Sequence, residues 1–367
     1  MNFYIIAGEA SGDLHASNLM KELKMLDTGA SFRYWGGDLM KMQGGELVKH
    51  YKELSFMGFT EVLMNLRTIL NNIDFCKKDI LSHRPDALIL VDYPGFNLRI
   101  AEFAKQNNIK VFYYISPQVW AWKQSRVHKI KLIVDKMLVI LPFEKEFYKR
   151  FDYDVDFVGH PLLDAVEKYK ELSLPLSVET DKPIIALLPG SRKQEIKTML
   201  PLMLSVVDKF KDYCFVVAGA PSQSKEFYHE IINGLDVKIV FNETYQLLQK
   251  SHAALVTSGT ATLETALFGV PEVVCYKGGL ISYTIAKQLV KVNYVSLVNL
   301  IMDKEIVKEL IQNDLTENNL KVELEKLLQP GTRDIMMDSY TELKTKLGGA
   351  GASKKAAGLI MGYLKKH

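Results

Sequence analysis

Asp92 directly follows the apolar run 87–91, where a carboxylate is partly desolvated and suited to accept a proton. The alternative is that it caps the turn Tyr93-Pro94-Gly95. Near the N-terminus, Gly8-Glu9-Ala10-Ser11-Gly12-Asp13 is a small-residue turn that lets a ligand approach the backbone and sets Glu9 and Asp13 beside it. Asp13 reads as a helix cap, Glu9 does not. Two further turns suit a phosphate. Thr257-Ser258-Gly259-Thr260 follows one apolar run and opens a helix in which Leu263, Ala266 and Leu267 recur at i, i+3, i+4. The N–H groups and dipole of that helix end attract anions; Ser258, Thr260 and Thr262 add hydroxyls, and Glu264 is placed to accept from a ribose diol. An ordinary N-capped helix is the other reading. Leu187-Leu-Pro-Gly-Ser191-Arg192 is again strand, turn and helix start, with Glu195 as a capping residue for Ser191. Arg192 there opposes the dipole unless an anion arrives. Two such turns in one half suggest a bound diphosphate.

These residues need strands that end where they stand. Apolar runs at 3–7, 87–91, 110–115, 136–141 and 155–158 alternate with helical stretches, as do runs at 184–188, 213–218, 237–240, 253–256 and 273–276. That alternation predicts an α/β chain of two doubly wound, Rossmann-like domains with parallel sheets, facing each other across a cleft. Ligands of such sheets gather at the carboxyl ends of strands, where Asp92, Ser116 and His160 also fall. The expected division is an N-terminal domain at 1–167, a charged, proline-bearing linker at 168–183, a C-terminal domain at 184–347, helical after residue 300, and a terminal helix within 348–367 that is free to pack back on the N-terminal domain or elsewhere. The turn at Gly8 is not a dinucleotide fingerprint, because its glycine spacing is wrong.

Composition excludes several classes. A formal net charge of +3 gives no signal for nucleic acid. Three cysteines, Cys76, Cys214 and Cys275, lie apart in apolar contexts, and eight histidines show no ligand spacing, so neither disulfides nor a metal is expected. No run approaches a membrane span, and the chain reads as cytoplasmic.

Two stretches stand out. Residues 54–73 are apolar on more than one helix face, with Val62, Leu63, Leu66, Ile69 and Leu70 among them and Arg67 the only basic residue. Such a helix is either buried on two sides or meets lipid. Trp120 and Trp122 precede a basic segment; from 121 to 150 there are eight Lys or Arg against three acids. That suits anionic lipid or an acidic ligand, or else a solvated helix with a tryptophan anchored in the core.

The ordered set Gly8-Glu-Ala-Ser-Gly-Asp13, Ser116-Pro-Gln-Val-Trp-Ala-Trp122, Leu141-Pro-Phe-Glu144, Gly159-His-Pro-Leu162, Leu187-Leu-Pro-Gly-Ser-Arg192, Ser258-Gly-Thr-Ala-Thr-Leu-Glu264 and Tyr294-Val-Ser-Leu-Val-Asn-Leu300 resembles the lipid-A-disaccharide synthase family, over nearly the whole chain. The resemblance implies a GT-B glycosyltransferase of lipid A biosynthesis that needs no cofactor. Its implied partners are a UDP-2,3-diacylglucosamine donor, a 2,3-diacylglucosamine 1-phosphate acceptor (lipid X) and the inner face of the inner membrane, where it sits peripherally. It places Asp92 as catalytic base with Glu9 on the acceptor side, and Ser191, Arg192, Ser258, Gly259, Thr260, Glu264 and Asn299 on the UDP side. It turns Val62, Leu63, Leu66, Ile69 and Leu70 into acyl- and membrane-contacting positions, and aims the basic tryptophan segment at anionic headgroups or the acceptor's phosphate. Where the family often has a second acid, this chain has Gly95, which leaves Asp92 alone, and Val298 stands where proline is usual. A UDP-N-acetylglucosamine 2-epimerase on the same architecture and a non-catalytic nucleotide-lipid binding protein remain the alternatives.

Overall fold

The computed structural model describes residues 1–54, 66–121, 123–172, 174–278 and 293–366. The chain forms two compact units, 1–161 with 348–367, and 162–347.

In unit 1 the elements run β1 (Asn2–Ala7), α1 (Ala10–Leu26), β2 (Ser31–Gly36), α2 (Asp38–Met42), β3 (Glu46–His50), α3 (Leu66–His83), β4 (Ala87–Val91), α4 (Pro94–Gln106), β5 (Lys110–Tyr114), α5 (Arg126–Ile133), β6 (Lys136–Val139), α6 (Pro142–Lys149) and β7 (Asp156–Phe157). The sheet order is β3-β2-β1-β4-β5-β6-β7, with every pair parallel. The run at β4 is wholly buried, which is why it reads as continuous apolar residues rather than an alternation. Under β1 and β2, a polar network joins elements distant in sequence. Arg33 grips Asp79 with two bonds of 2.8 and 2.7 Å, Tyr4 donates to Asp79 at 2.6 Å, and Trp35 donates to Tyr4 at 2.8 Å. Burial pulls the Asp79 carboxyl upward, but the Arg33 and Tyr4 bonds outweigh it and hold the group below the usual carboxylate range.

After α7 (Pro161–Leu172), unit 2 runs β8 (Ile184–Leu188), α8 (Lys193–Leu204), β9 (Cys214–Gly219), α9 (Lys225–Ile232), β10 (Val237–Phe241), α10 (Thr244–Lys250), β11 (Ser251–Thr257), α11 (Thr260–Phe268), β12 (Glu272–Tyr276), α12 (Leu297–Met302), β13 (Lys308–Ile311), α13 (Glu317–Leu327) and α14 (Pro330–Lys346). Its sheet, β10-β9-β8-β11-β12-β13, is parallel too. The terminal helix α15 (Ala352–Leu364) packs on α1 in unit 1, where Ala356, Ala357, Ile360 and Met361 join a core with Leu19, Leu23 and Phe3.

Four expectations change. The chain after residue 300 is not all helical: β13 extends the second sheet, with Leu310 as its buried residue among half-buried neighbours. Charged residues at such an edge mask the strand signal. Strand β3 is a similarly half-buried edge and was not expected. The turn at Gly8 is shorter than its sequence suggests, since α1 begins at Ala10 and Asp13 lies in its first turn. The compact units divide at Pro161 and Leu162, and α7 continues to Leu172 through the first part of the expected linker.

Because Ile360 is fully buried between α15 and α1, Ile360→Ala should cost about 2–5 kcal/mol, read as a lower denaturant midpoint. A shift below about 0.5 kcal/mol would mean that α15 is only loosely attached.

Candidate active site

In unit 2 the chain leaves β8 for β9 on one side, while β11 lies on the other. Loops after β8 and β11 therefore diverge, and a crevice opens at the carboxyl ends of the strands. A cavity of about 460 Å³ lies there. Six of the residues expected to bind nucleotide line it: Ser191, Arg192, Ser258, Gly259, Thr260 and Glu264. Arg192 is the N-cap of α8, and the Glu195 carboxylate accepts from the Ser191 and Arg192 amides at 3.1 and 3.5 Å. That carboxylate fits because residue 190 is glycine: a Cβ at Gly190 would lie 2.2 Å from Glu195 Oε2, and its φ of +102° is left-handed. Across the cavity, Thr260 is the first residue of α11 and is exposed. Glu264 accepts from Tyr245 at 2.9 Å, and burial pushes its carboxyl upward despite that bond. Two hydroxyls are already engaged, Ser258 donating to the Val295 carbonyl at 3.0 Å and Thr262 to the Gly259 carbonyl at 2.9 Å.

Asn299 is in a different situation. It is fully buried, both its amide hydrogens go to Val307 O and Glu309 Oε1, and its oxygen accepts from the Ile306 and Val307 amides. Its side chain has no hydrogen-bonding capacity left for a ligand. Asn299 holds the 306–309 segment together, while Glu309 secures the Val295 and Ser296 amides at 2.9 Å each.

In unit 1 the order reverses between β1 and β4, and the loops after those two strands carry Glu9 and Asp92. Asp92 is half-buried, and its carboxyl is pushed up to about 6, first by burial and then by the negative charge of Glu9, against one bond from the Tyr93 amide. Glu9 is exposed and extended at the N-cap of α1, without a side-chain cap bond. Asp13 caps a different helix from its own, accepting from the Gly37, Leu39 and Met40 amides at 2.7–3.1 Å around the start of α2.

Asp92 and Tyr93 both have left-handed backbones, with φ of 45° and 50°. The turn is pinned from beneath. Buried Asn97 donates to the Asp92 carbonyl at 2.7 Å, and the Tyr113 hydroxyl donates to the same oxygen at 2.7 Å. The Tyr93 ring covers Gly8, where a Cβ would be 2.4 Å from it. Asn97 and Tyr113 were not singled out from the sequence. Asn97 had a signal: residues 97, 100, 101 and 104 form the buried face of α4, so a lone amide stands on an apolar stripe.

A sequence model described as lipid-A-disaccharide synthetase matches residues 3–360. Lipid-A-disaccharide synthase of Syntrophus aciditrophicus is 39% identical, covering 99% of this chain and 97% of its own. The enzyme of the same name from Psychromonas ingrahamii is 40% identical, covering 98% and 97%. The chain belongs to the lipid-A-disaccharide synthase family. The family is one of glycosyltransferases, and the solved structures that resemble the chain carry the GT-B fold. The calicheamicin glycosyltransferase CalG4 superposes with a TM-score of 0.63 at 15% identity, covering 100% of this chain and 98% of its own. A UDP-GlcNAc 2-epimerase from Neisseria meningitidis, bound to UDP-GlcNAc, superposes at 0.67 and 12% identity, covering 100% of both chains. Likeness at such identity concerns the fold alone.

Within this lipid-A-disaccharide synthase family member, Val62 and Leu63 lie outside the described residues, and Leu66 begins α3. Ile69 is half-buried and Leu70 is 46% exposed. Trp120 is an anchored tryptophan rather than a surface one, 8% exposed and edge-on to Phe143 at 5.0 Å; Trp122 lies outside the described residues. Among the described residues, no helix is long and apolar enough to cross a membrane.

If Asp92 is the proton acceptor, a carboxyl at about 6 sets the acid limb of kcat/KM near pH 6, since it must be ionised to accept. Glu9→Gln removes a neighbouring negative charge, favours ionisation and moves that limb to lower pH. Asp92→Asn should lose about 10²–10⁴ in turnover. It should also gain thermal stability. The folded carboxyl titrates above its unfolded value of 3.8, so stability falls as pH rises between the two and stays lowered above about 6. The gain should thus be largest above pH 6 and vanish below about 4. A capping aspartate would show neither effect, since asparagine caps as well.

Proposed function

We propose that this chain transfers a 2,3-diacylglucosaminyl group from UDP to the 6-hydroxyl of 2,3-diacylglucosamine 1-phosphate. The products are the β-1,6-linked lipid A disaccharide 1-phosphate and UDP, and the anomeric carbon inverts. The observation that carries this reading is Asp92, a half-buried carboxylate raised to about 6 at the switch point of a parallel sheet. Asp92 removes the hydroxyl proton as the new O–C1 bond forms, while the C1–O bond to the diphosphate breaks and UDP leaves. Inversion requires the base and the leaving group on opposite faces of the sugar. The reading therefore assigns the acceptor to the unit of Asp92 and Glu9, and the donor to the cavity of Ser191, Arg192, Ser258, Gly259, Thr260 and Glu264. Charge developing on the leaving diphosphate meets the Arg192 guanidinium and the N-terminal amides of α11. Glu264 and Tyr245 hold the floor where a ribose diol would hydrogen-bond. Asn299 supports the segment beside this site and touches no ligand.

Both substrates carry acyl chains, so the reading places the protein peripherally on the inner face of the inner membrane. Exposed Leu70 and Leu81, which share one face of α3, support such a contact, and in the sequence they follow the apolar positions Val62, Leu63, Leu66 and Ile69.

Turnover of the diacylated donor with the acceptor, followed by product mass, tests the proposal. A 2-epimerase would instead convert UDP-N-acetylglucosamine without an acceptor, and a nucleotide-lipid binding protein would bind without turnover. Arg192→Ala should weaken UDP binding roughly ten- to a hundredfold and slow turnover; unchanged affinity in the folded variant removes Arg192 from the site. Leu70→Ser should leave thermal stability nearly unchanged, because the side chain is already exposed, and should reduce sedimentation with lipid vesicles.

A further inference from the structure

A second cavity, of about 280 Å³, lies in unit 1 between the first turns of α4 and α5. Pro94, Leu98 and Ile130 form its apolar wall, and Arg99, Arg126 and Lys129 bring three cations to it. None of the three is buried. Neither helix has an acid in its first turn. Lys129 pairs with Glu102 at 2.7 Å, but both side chains are about half-exposed, and a pair of that kind contributes only about 0–1 kcal/mol. A stronger anion can displace it. The cavity adjoins the catalytic turn in the chain, since Pro94 and Gly95 are two and three residues after Asp92.

Cations over an apolar wall fit one ligand chemistry, a phosphate monoester on an acylated body. A guanidinium matches phosphate with two parallel N–H donors, and the apolar wall offers a surface to hydrocarbon. We propose that this cavity binds the 1-phosphate of the acceptor, through Arg99, Arg126 and Lys129, with Leu98 and Ile130 against its apolar part. The proposal rests on the acceptor reading above and adds the group by which the acceptor is held. The position beside Asp92 favours the acceptor over a bilayer headgroup, because a phosphate fixed there holds the same sugar whose hydroxyl must reach the base. Burial of Trp120 points the same way, since it takes one of the tryptophans of the basic segment away from a membrane interface.

The test uses the full chain carrying Arg99→Gln and Arg126→Gln together, at two exposed positions where folding should be unaffected. Acceptors with and without the 1-phosphate are presented in detergent micelles. The wild type should favour the phosphorylated acceptor. The double variant should raise its KM for that acceptor about ten- to a hundredfold, with the KM for donor unchanged and the preference for phosphate lost. An equal loss with both acceptors overturns the proposal. So does an unchanged acceptor KM, and if sedimentation with phosphatidylglycerol vesicles then falls, the cavity is a headgroup site. Calorimetric binding of the two acceptors to Asp92→Asn, with and without the two arginine substitutions, reads the cavity without turnover. A phosphate preference there, lost with the arginines, would stand even if no disaccharide formed. Absence of turnover by the wild type would count against the function, not the cavity.

Discussion

Two consecutive residues with side chains, Asp92 and Tyr93, are held in the left-handed region, which costs on the order of 1–3 kcal/mol each. Bonds to the Asp92 carbonyl from Asn97 and Tyr113, at about 0.5–1.5 kcal/mol apiece, offset much of that cost. The Tyr93 ring stacks near Phe96 at 5.8 Å over the space that Gly8 leaves open. Strain, burial and acidity are one constraint here. The ends of β1, β4 and β5 are therefore tied to the same turn: one supplies a glycine, one the aspartate, one the tyrosine hydroxyl.

The two sheets share a plan. In each, a central strand has its successor on one side and a later strand on the other, and the diverging loops leave a crevice. What fills the crevice differs according to the chemistry. In unit 1 the turn after β4 holds a half-buried carboxylate, Asp92, with the Tyr93 and Phe96 rings paired beside it in the chain. In unit 2, Ser191, Arg192 and Thr260 are exposed on the cavity wall among small residues. The glycine at 190 serves that second purpose directly, because it lets Glu195 secure the loop amides without crowding.

Buried parallel strands announce themselves in sequence, and β4 and β8 fall on the expected residues 87–91 and 184–188. Edge strands do not, because β3 and β13 are half-buried and carry charged residues that resemble loop or helix. Six of the seven positions read as nucleotide-binding share one cavity, since turn chemistry at strand ends is local and readable. Asn299 stands apart because its role depends on partners at 306, 307 and 309, and no spacing reveals that its amide is saturated. Asp13 shows the same limit: an acid before a helix reads as that helix's cap, whereas its partners are at 37, 39 and 40. The tryptophan segment divides, with Trp120 anchored inside and the cations Arg126 and Lys129 outside.

A raised carboxyl does not by itself mark a site in this chain. Glu144 is pushed up to about 7 by burial, yet it is 1% exposed and its Oε2 accepts from the Leu141 and Ile140 amides at 2.9 and 3.2 Å. It closes the start of α6, and no substrate can reach it. Burial also pushes Glu272 well above the usual carboxylate range, but it is the first residue of β12 and fully enclosed, at the end of the sheet opposite the crevice. Asp92 differs from both in ways that geometry decides. It follows a strand instead of opening one, it is half-buried rather than enclosed, and a second carboxylate adds to the burial that raises it. A group in that position can exchange its proton with a bound hydroxyl, whereas the other two can exchange theirs only if the fold opens. Strand polarity and access, more than the size of the shift, set Asp92 apart from Glu144 and Glu272.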